Sequence, residues 1–309
     1  MIIRPKPRVV ILLLGVVLCL TGAAFIPRVR DFVRLAWNRH PSCPLTGIPS
    51  RPALAVDLEE GDRIAEESEV AESEPGFDLV KTRYGSYWVP TGNASALGAV
   101  LAEERRDPYS FQSCRVRDGD VVLDCGANVG VFTRRALNQG ARVVVAIEPG
   151  PDNVECLRRN FAPEIKAGRV LVYPKGVWDK DCWLELWGQG SGSAGYSVVM
   201  KDGPDSRSIR VPLTTIDKLV AELKLDRVDF IKMDVEGAER QALTGAAETM
   251  RRFRPRMAIS VEHFSADVDE LPTVVARSVP DLKVRCGPCI WLRYPNMDRF
   301  QPETLFFGE

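Results

Sequence analysis

From about residue 121 onward, short unbroken apolar runs alternate with stretches of helical character. Val121-Val122-Leu123 reads as a short buried strand, and a helix follows from about 128 to 139. Val143 to Ile147 predicts a second strand, with a helix over 153–160. Arg169 to Tyr173 predicts a third strand. Val228 to Met233 predicts a fourth, followed by a helix from about 238 to 253, and Met257 to Val261 a fifth. Nearly continuous apolar strands alternating with helices imply a mostly parallel sheet covered on both faces, a doubly wound α/β domain. Gly188 to Gly195 reads as a glycine- and serine-rich loop near Trp183, Trp187 and Tyr196. It suits either a lid carrying aromatic contacts for an acceptor or a plain hairpin loop.

The N-terminal quarter has a different pattern. Arg4, Lys6 and Arg8 precede an uncharged apolar run from Val9 to Ile26. As a helix that run is roughly 27 Å long, close to the hydrocarbon thickness of a bilayer. Residues 1–27 are therefore expected to be a transmembrane anchor, with a cleaved signal peptide as the competing reading. The expectation is a single-pass membrane protein. Arg28, Arg30, Arg34 and Arg39 lie beyond the run and balance the basic residues before it, so charge does not fix sidedness. Residues 28–76 read as a linker, first proline-rich and then acidic. Asp57 to Glu74 holds nine acidic residues against the single base Arg63, which favours a solvated spacer. The folded domain is expected over 77–309.

Composition narrows the function. The 309 residues carry a net charge of −1 and are 45% hydrophobic, so wholesale electrostatic binding to nucleic acid is not expected. Eight scattered cysteines lack the dense spacing of a disulfide-stapled domain. They read as buried thiols, with room for one or two disulfides. Cys286-Gly287-Pro288-Cys289 is expected at a turn between late strands rather than at a redox centre.

The strongest local signal is Val121-Val122-Leu123-Asp124-Cys125-Gly126-Ala127-Asn128-Val129-Gly130. A buried strand ends in an acid, turns through glycine and enters a helix. Glu148 closes the next strand, 24 positions after Asp124. An acid there can bind the hydroxyls of a ribose. A dinucleotide turn would carry glycine where Asn128 stands, and Asp124, expected to line the mouth of the pocket, would repel a pyrophosphate while attracting an ammonium. S-adenosylmethionine is therefore favoured over NAD.

Asp-Cys-Gly-Ala-Asn-Val-Gly-Val-Phe-Thr at 124–133 and Phe-Ile-Lys-Met-Asp-Val-Glu-Gly-Ala-Glu at 230–239 resemble the two signature segments of the FkbM-type methyltransferases. The similarity covers about residues 77–309. It includes Arg83-Tyr84-Gly85-Ser86-Tyr87-Trp88-Val89-Pro90 and Pro212-Leu213-Thr214-Thr215-Ile216-Asp217. The resemblance implies a class I methyltransferase fold and methyl transfer from S-adenosylmethionine, typically to a hydroxyl oxygen. The acceptor stays open, a saccharide or another small polar molecule. Asp124, Gly126, Ala127, Asn128, Gly130, Glu148 and Pro149 are expected around the cofactor.

Asp234, Glu236 and His263 are the expected catalytic residues, for orienting the acceptor and removing its proton. Asp234 ends the fourth strand, and His263 follows the fifth, where a parallel sheet gathers its ligands. The other reading makes Glu236 and Glu239 helix N-terminal acids and His263 a hydrogen-bonded rim residue. Adjacent acids could hold Mg²⁺ through oxygen ligands, but no further ligand is identifiable, and no metal site is expected. Two rival functions remain: a nucleotide-dependent oxidoreductase, and a membrane-tethered cofactor-binding scaffold without catalysis.

Overall fold

The computed structural model describes residues 27–46, 48–188, 207–294 and 297–308. Before the expected domain come helices α1 (Pro27–Trp37) and α2 (Ala53–Glu66) and strand β1 (Glu69–Glu74). Strand β2 (Phe77–Thr82) pairs antiparallel with both β1 and β3 (Gly85–Pro90) in a three-stranded sheet. Then follow α3 (Ala94–Arg105), β4 (Val121–Cys125), α4 (Val131–Asn138), β5 (Val143–Ile147), α5 (Pro151–Asn160), α6 (Ala162–Lys166) and β6 (Val170–Tyr173). A small sheet holds β7 (Gly176–Val177), β8 (Cys182–Gly188) and β9 (Arg207–Thr214). The chain continues through α7 (Ile216–Glu222), β10 (Phe230–Met233), α8 (Glu239–Thr244), α9 (Ala247–Phe253), β11 (Arg256–Ser260) and α10 (Asp267–Ser278). It ends in β12 (Lys283–Cys286), β13 (Cys289–Tyr294), β14 (Met297–Pro302) and β15 (Thr304–Gly308).

The main sheet has seven strands in the order β12-β15-β11-β10-β4-β5-β6. β15 runs antiparallel to both its neighbours, and the pairs from β11 to β6 are all parallel. The expected doubly wound, mostly parallel sheet is present. Successive residues of β4 serve opposite faces, as strand geometry requires. Leu123 and Cys125 join a core with Ile231, Met233, Leu243 and Leu271, whereas Val122 packs with Phe132, Ala136 and Phe230. The chain leaves β4 toward β5 on one side and returns through β10 on the other. The carboxyl ends of β4 and β10 therefore border a switch point, where open α/β sheets bind ligands.

The helix expected over 238–253 is split. Gly245 lies against the Trp178 carbonyl with no room for a Cβ, and the chain turns there between α8 and α9.

The linker expected over 28–76 is corrected over much of its length. Helix α2 buries Asp57, Gly61 and Ile64, and packs on α3 through glycine. A Cβ on Gly98 would overlap the Gly61 carbonyl, so the helices meet backbone to backbone. Arg106 binds Asp57 of α2 and Glu303 near the sheet's far edge. Cys43 forms a disulfide with Cys289, joining this N-terminal part to β13. Of the C-x-x-C pair, Cys286 stays a free thiol while Cys289 is in the disulfide, and the pair does sit at a turn between β12 and β13. The expected anchor over residues 1–27 lies almost wholly outside the described residues. Among the described residues no helix is long and apolar enough to cross a membrane. The glycine-rich stretch expected as a lid or hairpin, with Tyr196, also lies outside them.

Gly98→Ala should destabilise the protein by about 1–3 kcal/mol through overpacking between α2 and α3. Urea denaturation of the full chain measures this. An unchanged midpoint would mean that the close glycine contact is not part of the native packing.

Candidate active site

The two signature segments meet at the carboxyl end of the sheet because β4 and β10 are hydrogen-bonded neighbours, with Lys232 opposite Asp124 in register. Gly126 has φ +80°, and a Cβ there would strike the Asp234 carbonyl. Only glycine allows the turn after β4 to lie against the chain leaving β10.

The turn's own N–H groups are all used internally. Gly126 and Ala127 donate to the Ile147 carbonyl, and Gly130 donates to that of Ala127. Asn128, itself left-handed at φ +51°, donates to Glu148 Oε2 at 3.0 Å, and Val129 donates to Asn128 Oδ1 at 2.6 Å. A turn so satisfied has no N–H to offer a pyrophosphate. This adds a structural argument against a dinucleotide to the missing glycine.

Glu148 is where the sequence placed it, at the end of β5 and nearly buried. Its Oε1 accepts from Gly150 N at 2.9 Å and from the Asn153 amide at 3.5 Å. Together with Asn128 N these contacts take three of the carboxylate's roughly four acceptor positions, leaving room for one ribose hydroxyl. Burial raises its pKa, and the hydrogen bonds from Gly150, Asn128 and Asn153 oppose that. Pro149 follows at the edge of the same turn, half-buried.

Asp124 departs from the expectation. It was read as lining the mouth and meeting an ammonium there, yet its side chain is fully buried. Oδ2 accepts from the Thr133 hydroxyl at 2.6 Å, and Oδ1 faces Lys232 Nζ at 3.5 Å. The ammonium that Asp124 meets belongs to the protein. Lys232 in turn donates to the Gly126 carbonyl at 2.8 Å and lies 4.0 Å from Asp234. Burial alone would lower the lysine's pKa, but the surrounding acids, Asp124 foremost, hold it well above the ordinary value.

Asp234, Glu236 and His263 come together, as expected. His263 Nε2 lies 3.2 Å from Glu236 and 3.6 Å from Asp234, and its Nδ1 lies 3.2 Å from the fully buried Glu239. Tyr109 donates its hydroxyl to Asp234 Oδ2 at 2.8 Å. Burial raises the Asp234 pKa, but Lys232, His263 and the tyrosine bond outweigh it and hold the carboxyl below its usual value. His263 resists burial through Glu239 and Glu236, which push its pKa well above 6.5. That direction favours the charged ring, whereas the sequence reading has His263 taking a proton from the acceptor. Glu236 sits at φ +54°, an uncommon conformation for a residue with a side chain, which turns it toward the histidine.

Sequence reasoning missed several members of this cluster. Burial first, then neighbouring acids push the Glu103 pKa upward; burial raises that of Glu262 to about 8, with His263 opposing and neighbouring acids adding to it. Glu262 adjoins His263 and could have been picked out; Glu103 and Tyr109 come from elements remote in sequence and carry no local sign of their place.

A family model described as the methyltransferase FkbM domain matches residues 124–278. The 31-O-demethyl-FK506 methyltransferase FkbM of Streptomyces tacrolimicus is 28% identical over 167 residues, 45% of this chain and 64% of that protein. The 2-O-methyltransferase NoeI of Sinorhizobium fredii is 30% identical over 153 residues, 43% of this chain and 60% of that one. The chain thus spans somewhat less than two thirds of each of these relatives. A solved FkbM methyltransferase from Methylobacillus flagellatus aligns over 82% of this chain and 59% of its own, with 21% identity and a TM-score of 0.46.

Lys232→Met should destabilise the fold by about 3–5 kcal/mol, because it strands Asp124 without its cation. Adding Asp124→Asn should recover part of the loss, which a double-mutant cycle in urea would resolve. Strict additivity would show that the two do not depend on each other.

Proposed function

The chain belongs to the FkbM methyltransferase family, and from that premise we propose that it transfers a methyl group from S-adenosylmethionine to a hydroxyl oxygen of a small polar acceptor. The observation that carries this is the contact between Gly126 and Asp234. It makes the glycine turn and the acid–histidine cluster one continuous site, so a cofactor on the turn has the cluster beside it.

The residues present fit an adenosyl group. Glu148 retains one acceptor position at the end of β5, and the internally bonded turn offers close backbone approach without a phosphate cradle. The bound cofactor would supply an electrophilic methyl carbon on a sulfonium. The remaining work is positioning. Asp234 is fixed by Tyr109 through one oxygen, while its other oxygen, Oδ1, is buried without a hydrogen-bond partner among the described residues. That oxygen is suited to accept the hydrogen bond, and then the proton, of an acceptor hydroxyl. His263 and Glu239 hold the cluster in register behind it. The names of the two relatives, a 2-O-methyltransferase and a methyltransferase of 31-O-demethyl-FK506, support oxygen as the atom methylated. A sugar acceptor remains one form of this proposal.

Incubation with methyl-labelled S-adenosylmethionine and a panel of hydroxylated small molecules tests the reading. Label recovered on oxygen supports it. Cofactor binding without transfer to any of them would favour a scaffold. Glu148→Ala should weaken cofactor binding by about 1–3 kcal/mol, measured by titration calorimetry on folded protein. Asp234→Asn should lower turnover about 10²–10⁴-fold with cofactor affinity little changed; a near-normal rate would remove Asp234 from the chemistry.

A further inference from the structure

We infer that Asp234, Glu236 and His263 form a binding site for one divalent transition-metal ion of the Mn²⁺ or Zn²⁺ type. Each residue presents one donor atom, and the three atoms lie within 4.8 Å of one another. His263 Nε2 is 3.2 Å from the Glu236 oxygen and 3.6 Å from Asp234 Oδ1. Ligand atoms around an ion at about 2.1 Å sit about 3.0–3.4 Å apart, whether octahedral or tetrahedral. The spacing is therefore already close to that of a coordination shell.

An ion pair between histidine and glutamate would give one of these distances but not account for the whole arrangement. Asp234 Oδ1 is buried, too far from His263 for a hydrogen bond, and has no hydrogen-bond partner among the described residues, although Oδ2 of the same carboxylate is held by Tyr109. An oxygen fixed in this way and left unsatisfied points to a ligand. The second sign lies behind the histidine. Its side chain is only 8% exposed, and Nδ1 faces the carboxylate of Glu239, which is itself completely buried and anchored by Val235 N at 3.0 Å. The 3.2 Å contact is an ion pair rather than a hydrogen bond, but it sets an acid behind the ring and leaves the opposite nitrogen facing outward, as in metal-ligating histidines. Here Nε2 is directed between Asp234 and Glu236. One proton on that nitrogen can bond a single carboxylate well. A dication would serve all three donors and offset the excess of buried carboxylates around them.

The donor set chooses among metals. One imidazole with two carboxylates suits Mn²⁺ or Zn²⁺ better than Ca²⁺ or Mg²⁺, which favour oxygen alone. Three protein ligands leave positions open, and the oxygen of a hydroxylated acceptor would fit one of them. The inference deepens the proposed reading of this site, with Asp234 then meeting the acceptor oxygen through the ion. It does not depend on methyl transfer, because binding is measured without cofactor or acceptor.

The test is titration of the full chain, stripped with a chelator, with Mn²⁺ followed by electron paramagnetic resonance, and with Zn²⁺ as competitor. One site per chain in the micromolar range, displaced by Zn²⁺, is expected. His263→Ala should weaken it by well over 10-fold, and Glu239→Gln by about 10–100-fold through loss of ring orientation. Near-ultraviolet circular dichroism checks that each variant is folded. Absence of a site in the unaltered chain would overturn the inference without recourse to variants, and so would unchanged binding in folded His263→Ala. Either result would leave the methyl-transfer reading standing.

Discussion

A buried ammonium, Lys232 Nζ, ties the site to the sheet. It lies between the ends of two neighbouring strands, bonded to the Gly126 carbonyl and facing Asp124 and Asp234. Two carboxylates at that depth would repel each other and resist ionisation. With the lysine between them, Asp124 can anchor the start of α4 through Thr133 while Asp234 stays ionised at the open side. The price of burying these charges is met only while all three are present together, so β4, the glycine turn and the end of β10 are expected to stay in one arrangement.

The acid cluster beyond Asp234 inherits that geometry. Gly126 brings the turn against the Asp234 backbone, Tyr109 clamps one carboxylate oxygen, and Glu239 supports the histidine from behind. The result concentrates negative charge where a hydroxyl, a cation or both can be bound. The upward direction of the His263 pKa follows from the same crowding, since the acids beside the ring favour its charged form more than burial disfavours it.

Parts of this organisation were legible because they are local. Buried strands read as apolar runs, and an acid–glycine turn entering a helix has few other uses, so the parallel sheet, the turn and Glu148 could be read from spacing. The N-terminal stretch could not. The buried positions of α2 are Asp57, Gly61 and Ile64, of which only one is apolar. Its helix therefore packs through glycine and an Arg106 ion pair, leaving no hydrophobic period to find. The disulfide was hidden for a different reason: cysteine spacing does not reveal pairing, and Cys43 meets Cys289 because the segment after α1 bridges to β14, the strand paired with β13.

The sequence by itself determined the fold class, the cofactor-side turn and the three residues around which the chemistry is proposed. Each is marked by residue types that a short segment needs in order to turn or to end a strand. Only the tertiary structure decided what those residues face. Asp124, read as lining the mouth, became the internal partner of Lys232. His263, expected to take a proton, lies among acids that raise its pKa. Glu103, Tyr109 and Glu262 joined the cluster from elsewhere in the chain. The physical reason is that a carboxylate's or an imidazole's role depends on the charges within a few ångströms, and those charges come from segments that sequence separates and the sheet brings together.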